Sequence, residues 1–175
     1  MRRRARERLE DFELTEDGSY AYTGALWGWE SAEACTSFLR RSRAMLAAAA
    51  LCLLAIGFVP VSGLGETFIV LVPYLVAIGV LLLALGDVLK LSHEGEQIRD
   101  HVRASSFDGL ATKLTVGLIA AIACSLGQLV CLVSGMGEVS NRPLALFALA
   151  CMLGCSASYA LLLRSVRSLE LRKLQ

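Results

Sequence analysis

Four stretches of this chain contain no Asp, Glu, Lys or Arg: Ala44 to Leu64, Thr67 to Leu85, Leu114 to Ser134 and Pro143 to Leu163. No other feature constrains the fold so tightly. A helix crossing the ~30 Å hydrocarbon core needs about 20 residues, and lipid offers its backbone no hydrogen-bond partner, so each stretch has the length and chemistry of a spanning helix. Composition agrees: 55% of residues are hydrophobic and 19% charged, against roughly 45–50% and 25% in soluble domains, and the mean hydropathy is +0.59. An ordinary soluble domain is excluded.

The first two stretches form one apolar run broken only by Glu66, and the break is marked by the turn formers Pro60, Ser62, Gly63 and Gly65. As one helix, Ala44 to Leu85 would measure roughly 63 Å, about twice the core thickness, so two antiparallel helices are expected. Gly135, Gly137, Asn141, Arg142 and Pro143 separate the third and fourth stretches in the same way. The expected fold is an all-α integral membrane protein whose four transmembrane helices form two tandem helical hairpins. The expected division is a cytoplasmic segment 1–43, a transmembrane domain 44–163 with a cytoplasmic loop 86–113, and a basic tail 164–175.

Orientation follows from Lys and Arg, because positively charged short loops stay cytoplasmic. Eight precede the first span, four lie in the loop 86–113 and four in the tail, whereas the two short hairpins hold only Arg142. Both termini are therefore expected in the cytoplasm. The near-neutral net charge of +1 does not weaken this reading, since Asp and Glu contribute little to the rule. The first span lies too far along the chain for a signal peptide, and no small-residue cleavage site follows a short basic start. Fourteen Arg against three Lys suggest only a compositional bias, and a bacterial inner membrane is the expected host. Of six cysteines, Cys52, Cys124, Cys131, Cys151 and Cys155 fall within spans and Cys35 on the cytoplasmic side, so disulfides are not implied.

The chain also repeats itself. At an offset of 72, Leu46 to Glu66 and Leu118 to Glu138 match at 10 of 21 positions, and the hairpin sequences Val61, Ser62, Gly63, Leu64, Gly65, Glu66 and Val133, Ser134, Gly135, Met136, Gly137, Glu138 differ at one position. Apolar composition alone does not produce that. Two copies in the same orientation predict a pseudo-twofold axis along the membrane normal. Each copy carries a face of small residues at helical spacing: Ala48, Cys52, Ala55 and Val59 in the first span, and Gly117, Ala120, Cys124, Gly127 and Cys131 in the third. Helices in lipid associate through close van der Waals approach, which small residues permit, so the first and third spans are expected to pack on each other. A fourth-span face of Ala148, Cys151, Cys155 and Ser158 suits either the bundle or a homodimer.

Outside the spans, Phe12 to Leu14 and Tyr20 to Tyr22 flank a turn-forming stretch with Gly18, which predicts a short hairpin in need of outside support. Tyr20, Tyr22, Trp27 and Trp29 suit a membrane interface, a reading favoured over a partner site, and Ser31 is expected to begin the first long helix. Val88, Leu91, Ile98 and Val102 fall on one helical stripe, and Leu162, Val166 and Leu169 on another. The two stripes predict a helical stalk, with the basic tail lying on anionic lipid as the other reading.

Little chemistry stands out. Four spans with cysteines resemble the architecture of quinone-linked disulfide oxidoreductases, but the Cys-x-x-Cys pair of those enzymes is absent and Cys151 and Cys155 read as packing residues. Small multidrug transporters also have four spans, yet rely on a carboxylate inside the first, whereas Glu66 and Asp87 here only bracket the second. Gln128 is the one amide deep in a span and the candidate for a polar path, although an interhelical hydrogen bond is the commoner role. Glu66 and Glu138 read as water-exposed helix starts rather than a cation site. His93, Glu96, Asp100 and His101 match no metal pattern, and Arg2, Arg3, Arg4, Arg6 and Arg8 serve topology rather than nucleic-acid binding. No cofactor or catalytic residue is expected. The expected function is a noncatalytic membrane subunit that binds lipid around it and associates with itself or another membrane protein. The alternative is a small transporter working as an oligomer.

Overall fold

In the computed structural model, residues 12–14, 20–58, 67–95, 97–134, 142–169 and 171–174 are described. Four long helices dominate: α1 (Ala32–Phe58), α2 (Phe68–Glu94), α3 (Asp100–Ser134) and α4 (Arg142–Arg167), each long and apolar enough to cross a membrane. They carry a girdle of exposed large apolar side chains, among them Leu51, Phe58, Leu82, Ile119, Leu126 and Phe147, which suits contact with lipid. The duplicated hairpin tips, 61–66 and 133–138, lie outside the described residues apart from Val133 and Ser134 at the end of α3.

Ser31 starts α1 as expected, its hydroxyl oxygen accepting the Ala34 N–H at 3.1 Å. The four helices form a ring in which α1 packs on α4 and, over a shorter stretch, on α2, while α3 packs between α2 and α4. This corrects the expected pairing of the first and third spans, because α1 and α3 stand on opposite corners. Small residues permit close approach without selecting a partner, and the close approaches are made elsewhere. A Cβ added at Gly127 would lie 3.3 Å from the Ile69 carbonyl oxygen of α2. That oxygen is the one Pro73 deprives of its helical donor, since proline has no N–H to offer four residues on.

The middle of the ring is filled by Tyr159 of α4. It is wholly buried, and its hydroxyl donates to the Ala77 carbonyl of α2 at 2.8 Å, across the diagonal. Gly117 of α3 makes the space, because a Cβ there would come 2.7 Å from Val80 Cγ1 and 3.3 Å from the Tyr159 ring. Tyr74 ties α2 to α1 through a 2.9 Å bond to the Leu53 carbonyl.

At the end of the bundle where the described termini lie, the chain builds two small sheets. Strands β1 (Phe12–Leu14) and β2 (Tyr20–Tyr22) pair antiparallel, Phe12 facing Tyr22 and Leu14 facing Tyr20, as the hairpin reading expects. Strand β3 (Leu26–Gly28) lies between β4 (Gln97–Arg99) and β5 (Arg172–Lys173), antiparallel to both. The expected helical stalk is therefore not formed. Gly95, with φ of 74°, ends α2 before Ile98 can continue the stripe, and Ile98 is buried instead as the inward residue of β4. The tail likewise leaves its helix and adds a strand.

Removing the Tyr159 hydroxyl by Tyr159→Phe should lower stability by only ~0.6 kcal/mol, the usual worth of such a bond in lipid. Gly117→Val should cost more, ~1–3 kcal/mol, because the bundle centre is then overpacked. Reversible unfolding of the two variants in mixed micelles measures both.

Candidate functional site

The polar groups that lipid would penalise fall at three levels of the bundle. Near the sheet end, Asp87 of α2 is 4% exposed and forms an ion pair with Lys113 of α3. Both residues flank uncharged stretches, and α2 and α3 run antiparallel, so their boundaries meet at the same height. A buried carboxylate needs such a partner, since an isolated charge in low dielectric is costly by several kcal/mol. The pairing went unread in the sequence, where opposite charges at the same end of neighbouring spans were the available signal.

Gln128 sits on α3 some 15 residues further on, roughly 22 Å along the helix axis from Lys113. It is 6% exposed, its amide nitrogen lies 3.9 Å from Cys124 Sγ, and its carbonyl oxygen has no partner among the described residues. The interhelical hydrogen bond expected of it is not formed among the described residues. The Cys124 thiol in turn donates to the Val70 carbonyl of α2 at 3.6 Å. Between the ion pair and Gln128 lies the Tyr159 layer, closed by Gly117 and Val80. Ser125 and Ser156 do not extend a polar line, because each hydroxyl returns to a carbonyl one turn back on its own helix, Ala121 and Met152.

The small residues singled out in the sequence divide by helix. On α3, Gly117, Ala120, Cys124 and Gly127 are all buried, and they face α2 and α4 rather than α1. In the apolar part of α1, from Ala44 on, Ala48 is exposed, Cys52 and Ala55 are half-buried, and the buried positions are Leu46, Ala49, Leu53 and Ile56. The buried stripe is thus displaced around α1 from the small-residue face. With α4 as the neighbour, small residues come from the other side, as where Cys52 Sγ approaches Gly154. On α4, Ala148 and Cys155 are buried while Cys151 and Ser158 are partly so. All six cysteines are free of disulfides. His93, Asp100 and His101 do not gather with other ligands, and no group of three His, Cys, Asp or Glu suited to a metal occurs among the described residues; Glu66, Glu138 and Glu96 lie outside them.

A denser arrangement exists at the sheet end. Trp29, 8% exposed, donates its indole N–H to the Gly95 carbonyl at 3.1 Å and packs against Phe38 of α1 and Phe107 of α3, with ring centroids 5.4 and 6.1 Å away. A π-helical turn, Arg103–Phe107, opens α3 there and buries both Ser106 and Phe107. Trp27 donates to Asp100 Oδ1 at 2.7 Å, and the Arg103 guanidinium lies 3.6 Å from its ring centroid. Tyr22 is held under Arg99 and edge-on to His101, which supplies the support that a two-stranded hairpin needs. Tyr22, Trp27 and Trp29, three of the four aromatic residues expected at a membrane interface, thus engage the chain's own link between α2 and α3.

Known proteins do not resolve what this arrangement does. No family model, no curated protein and no solved structure matches the chain. Its own chemistry therefore carries the reading: two polar levels separated by a packed aromatic layer, beneath a sheet woven from three separate segments.

Breaking the buried ion pair gives a direct measure of its role. Asp87→Asn or Lys113→Met alone should destabilise by more than the ~1 kcal/mol of an exposed pair and approach the ~3–5 kcal/mol of a fully buried one. The double variant should recover most of the loss, as a double-mutant cycle in detergent would show.

Proposed function

We propose that this chain is a noncatalytic multi-pass membrane subunit that associates with itself or with another membrane protein, presenting the sheet end as a fixed platform. The observation carrying this reading is the three-stranded sheet, which joins the segment before α1, the link between α2 and α3, and the tail after α4. Three segments that could each have been a separate loop are held in one register. Ordering them costs conformational entropy, and a platform that must keep its shape for a partner gives that order a use.

Sixteen of the seventeen Lys and Arg residues lie before the first apolar stretch, between the second and third, or after the fourth, so the sheet end is assigned to the cytoplasm, with both termini inside. The host is a cell membrane, and we favour a bacterial inner membrane. The duplication is read as two tandem hairpins about a pseudo-twofold axis. The equivalence of the α1 on α4 and α3 on α2 interfaces supports this, although α1 meets α2 over a shorter stretch than α3 meets α4.

A second reading, a small transporter active as an oligomer, rests on the unpartnered carbonyl oxygen of buried Gln128. The closed Tyr159 layer favours the subunit. Native mass spectrometry of the tagged protein, extracted gently from its own membrane at natural expression level, is expected to yield a defined oligomer or a stoichiometric complex. A uniform monomer would overturn the proposal. Gln128→Leu should leave that assembly intact and its thermal stability equal or higher, because a desolvated amide oxygen is removed; loss of solute flux in liposomes on this substitution would favour transport instead.

A further inference from the structure

We infer that the end of α4 forms a binding site for one phospholipid with an anionic headgroup. On the face toward α3, a groove of about 390 Å³ is lined by Leu118, Ala160 and Leu163 and closes at its upper rim with Arg164, Arg167 and Ser168. Its lower wall belongs to the apolar part of the two spans, and its rim stands where the uncharged stretch of α4 ends. Hydrocarbon and anion are thus accommodated in the order in which a phospholipid presents them.

The charges at the rim are available. Several cations at this end are engaged, Lys113 with Asp87, Arg99 with Glu94, Arg103 with Asp108, and Arg43 with the Ser92 hydroxyl, while Arg40, Lys90, Arg172 and Lys173 form no ion pair among the described residues but do not line the groove. Arg164 and Arg167 form no ion pair among the described residues, and neither does Arg41, which lines a second cleft of about 230 Å³ on the opposite side of the same helix end, sharing Ser168 with the first. A helix C-terminus by itself repels an anion, because its last carbonyls carry partial negative charge. Two arginines one turn apart reverse that sign locally, and a guanidinium pairs with a phosphate in a two-pronged geometry that lysine does not reproduce. Basic pockets between spanning helices at an anionic leaflet are recognised sites for such headgroups. The occupant is a lipid rather than free phosphate because a phosphate alone would leave the apolar wall unused. The site is independent of whether the chain acts as a subunit or a transporter.

The test reconstitutes the full chain in phosphatidylcholine vesicles and measures by electron paramagnetic resonance the selectivity for spin-labelled phosphatidylglycerol over spin-labelled phosphatidylcholine. The wild type should prefer the anionic lipid by roughly thirtyfold, as expected for two charges at the surface. Arg164→Gln with Arg167→Gln should reduce the preference to about twofold or less, and Ala160→Trp, which fills the exposed lower groove while keeping both arginines, should also lower it. Arg172→Gln with Lys173→Gln removes the same charge from β5 and should leave most of the preference in place. Unfolding midpoints of the variants check that each is folded. Selectivity retained in the Arg164/Arg167 variant, or lost equally in the Arg172/Lys173 variant, would overturn the groove in favour of diffuse surface charge. Full displacement of the labelled lipid by inorganic phosphate, against chloride at equal ionic strength, would make it a free-anion site and overturn the lipid assignment.

Discussion

In hydrocarbon, a carbonyl or hydroxyl that does not find a partner within the protein finds none at all, and the rest of this bundle is arranged around that constraint. Tyr159 meets it at the centre. Its ring needs a glycine opposite, which Gly117 provides, and its hydroxyl needs an acceptor, which Ala77 provides from the diagonal helix. One aromatic side chain thereby sets the relative heights of α2, α3 and α4. Pro73 imposes a related demand on the α2–α3 seam, where the carbonyl released at Ile69 lies against Gly127.

Charge obeys the same rule at the boundary of the spans. Asp87 and Lys113 are the acid and base on facing helices that can meet without leaving the apolar region entirely, and their union fixes the register of α2 against α3. Gln128 departs from the rule within the apolar stretches, with one amide oxygen left without a partner among the described residues, as do the buried hydroxyls of Ser42 and Ser106 nearer the sheet end; its depth makes Gln128 the group on which alternative functions turn. Above these levels, water returns and the logic changes. Backbone groups of three segments satisfy each other in a sheet, while Trp29, Phe38 and Phe107 seal its underside against the bundle.

Much of this is legible in the amino-acid sequence alone. The four apolar helices follow from uncharged stretches of spanning length, the start of α1 from Ser31, and the β1–β2 pair from two short strand-forming runs around a glycine-containing turn. The small-residue face of α3 is buried as its spacing implies. Its partner was misread, because spacing identifies a face and carries no information about which helix will cover it. The stalk was misread because a stripe of apolar residues has the same period whether or not a glycine interrupts the helix, and Gly95 does. Tyr159 and the Asp87–Lys113 pair were not singled out, since each depends on a residue on another span.

What the sequence determines by itself is therefore local and one-dimensional: which segments are apolar enough and long enough to cross a bilayer, where they end, and on which side the positive charge accumulates. The tertiary structure alone decided that α1 turns its larger residues inward and leaves Ala48 exposed, that the aromatic segment folds onto the link between α2 and α3, and that the tail becomes a strand. The physical reason is that lipid exerts little hydrophobic selection among helix pairs. Neighbours are then chosen by the fit of particular side chains into particular gaps, and such fits exist only once all four helices are in place.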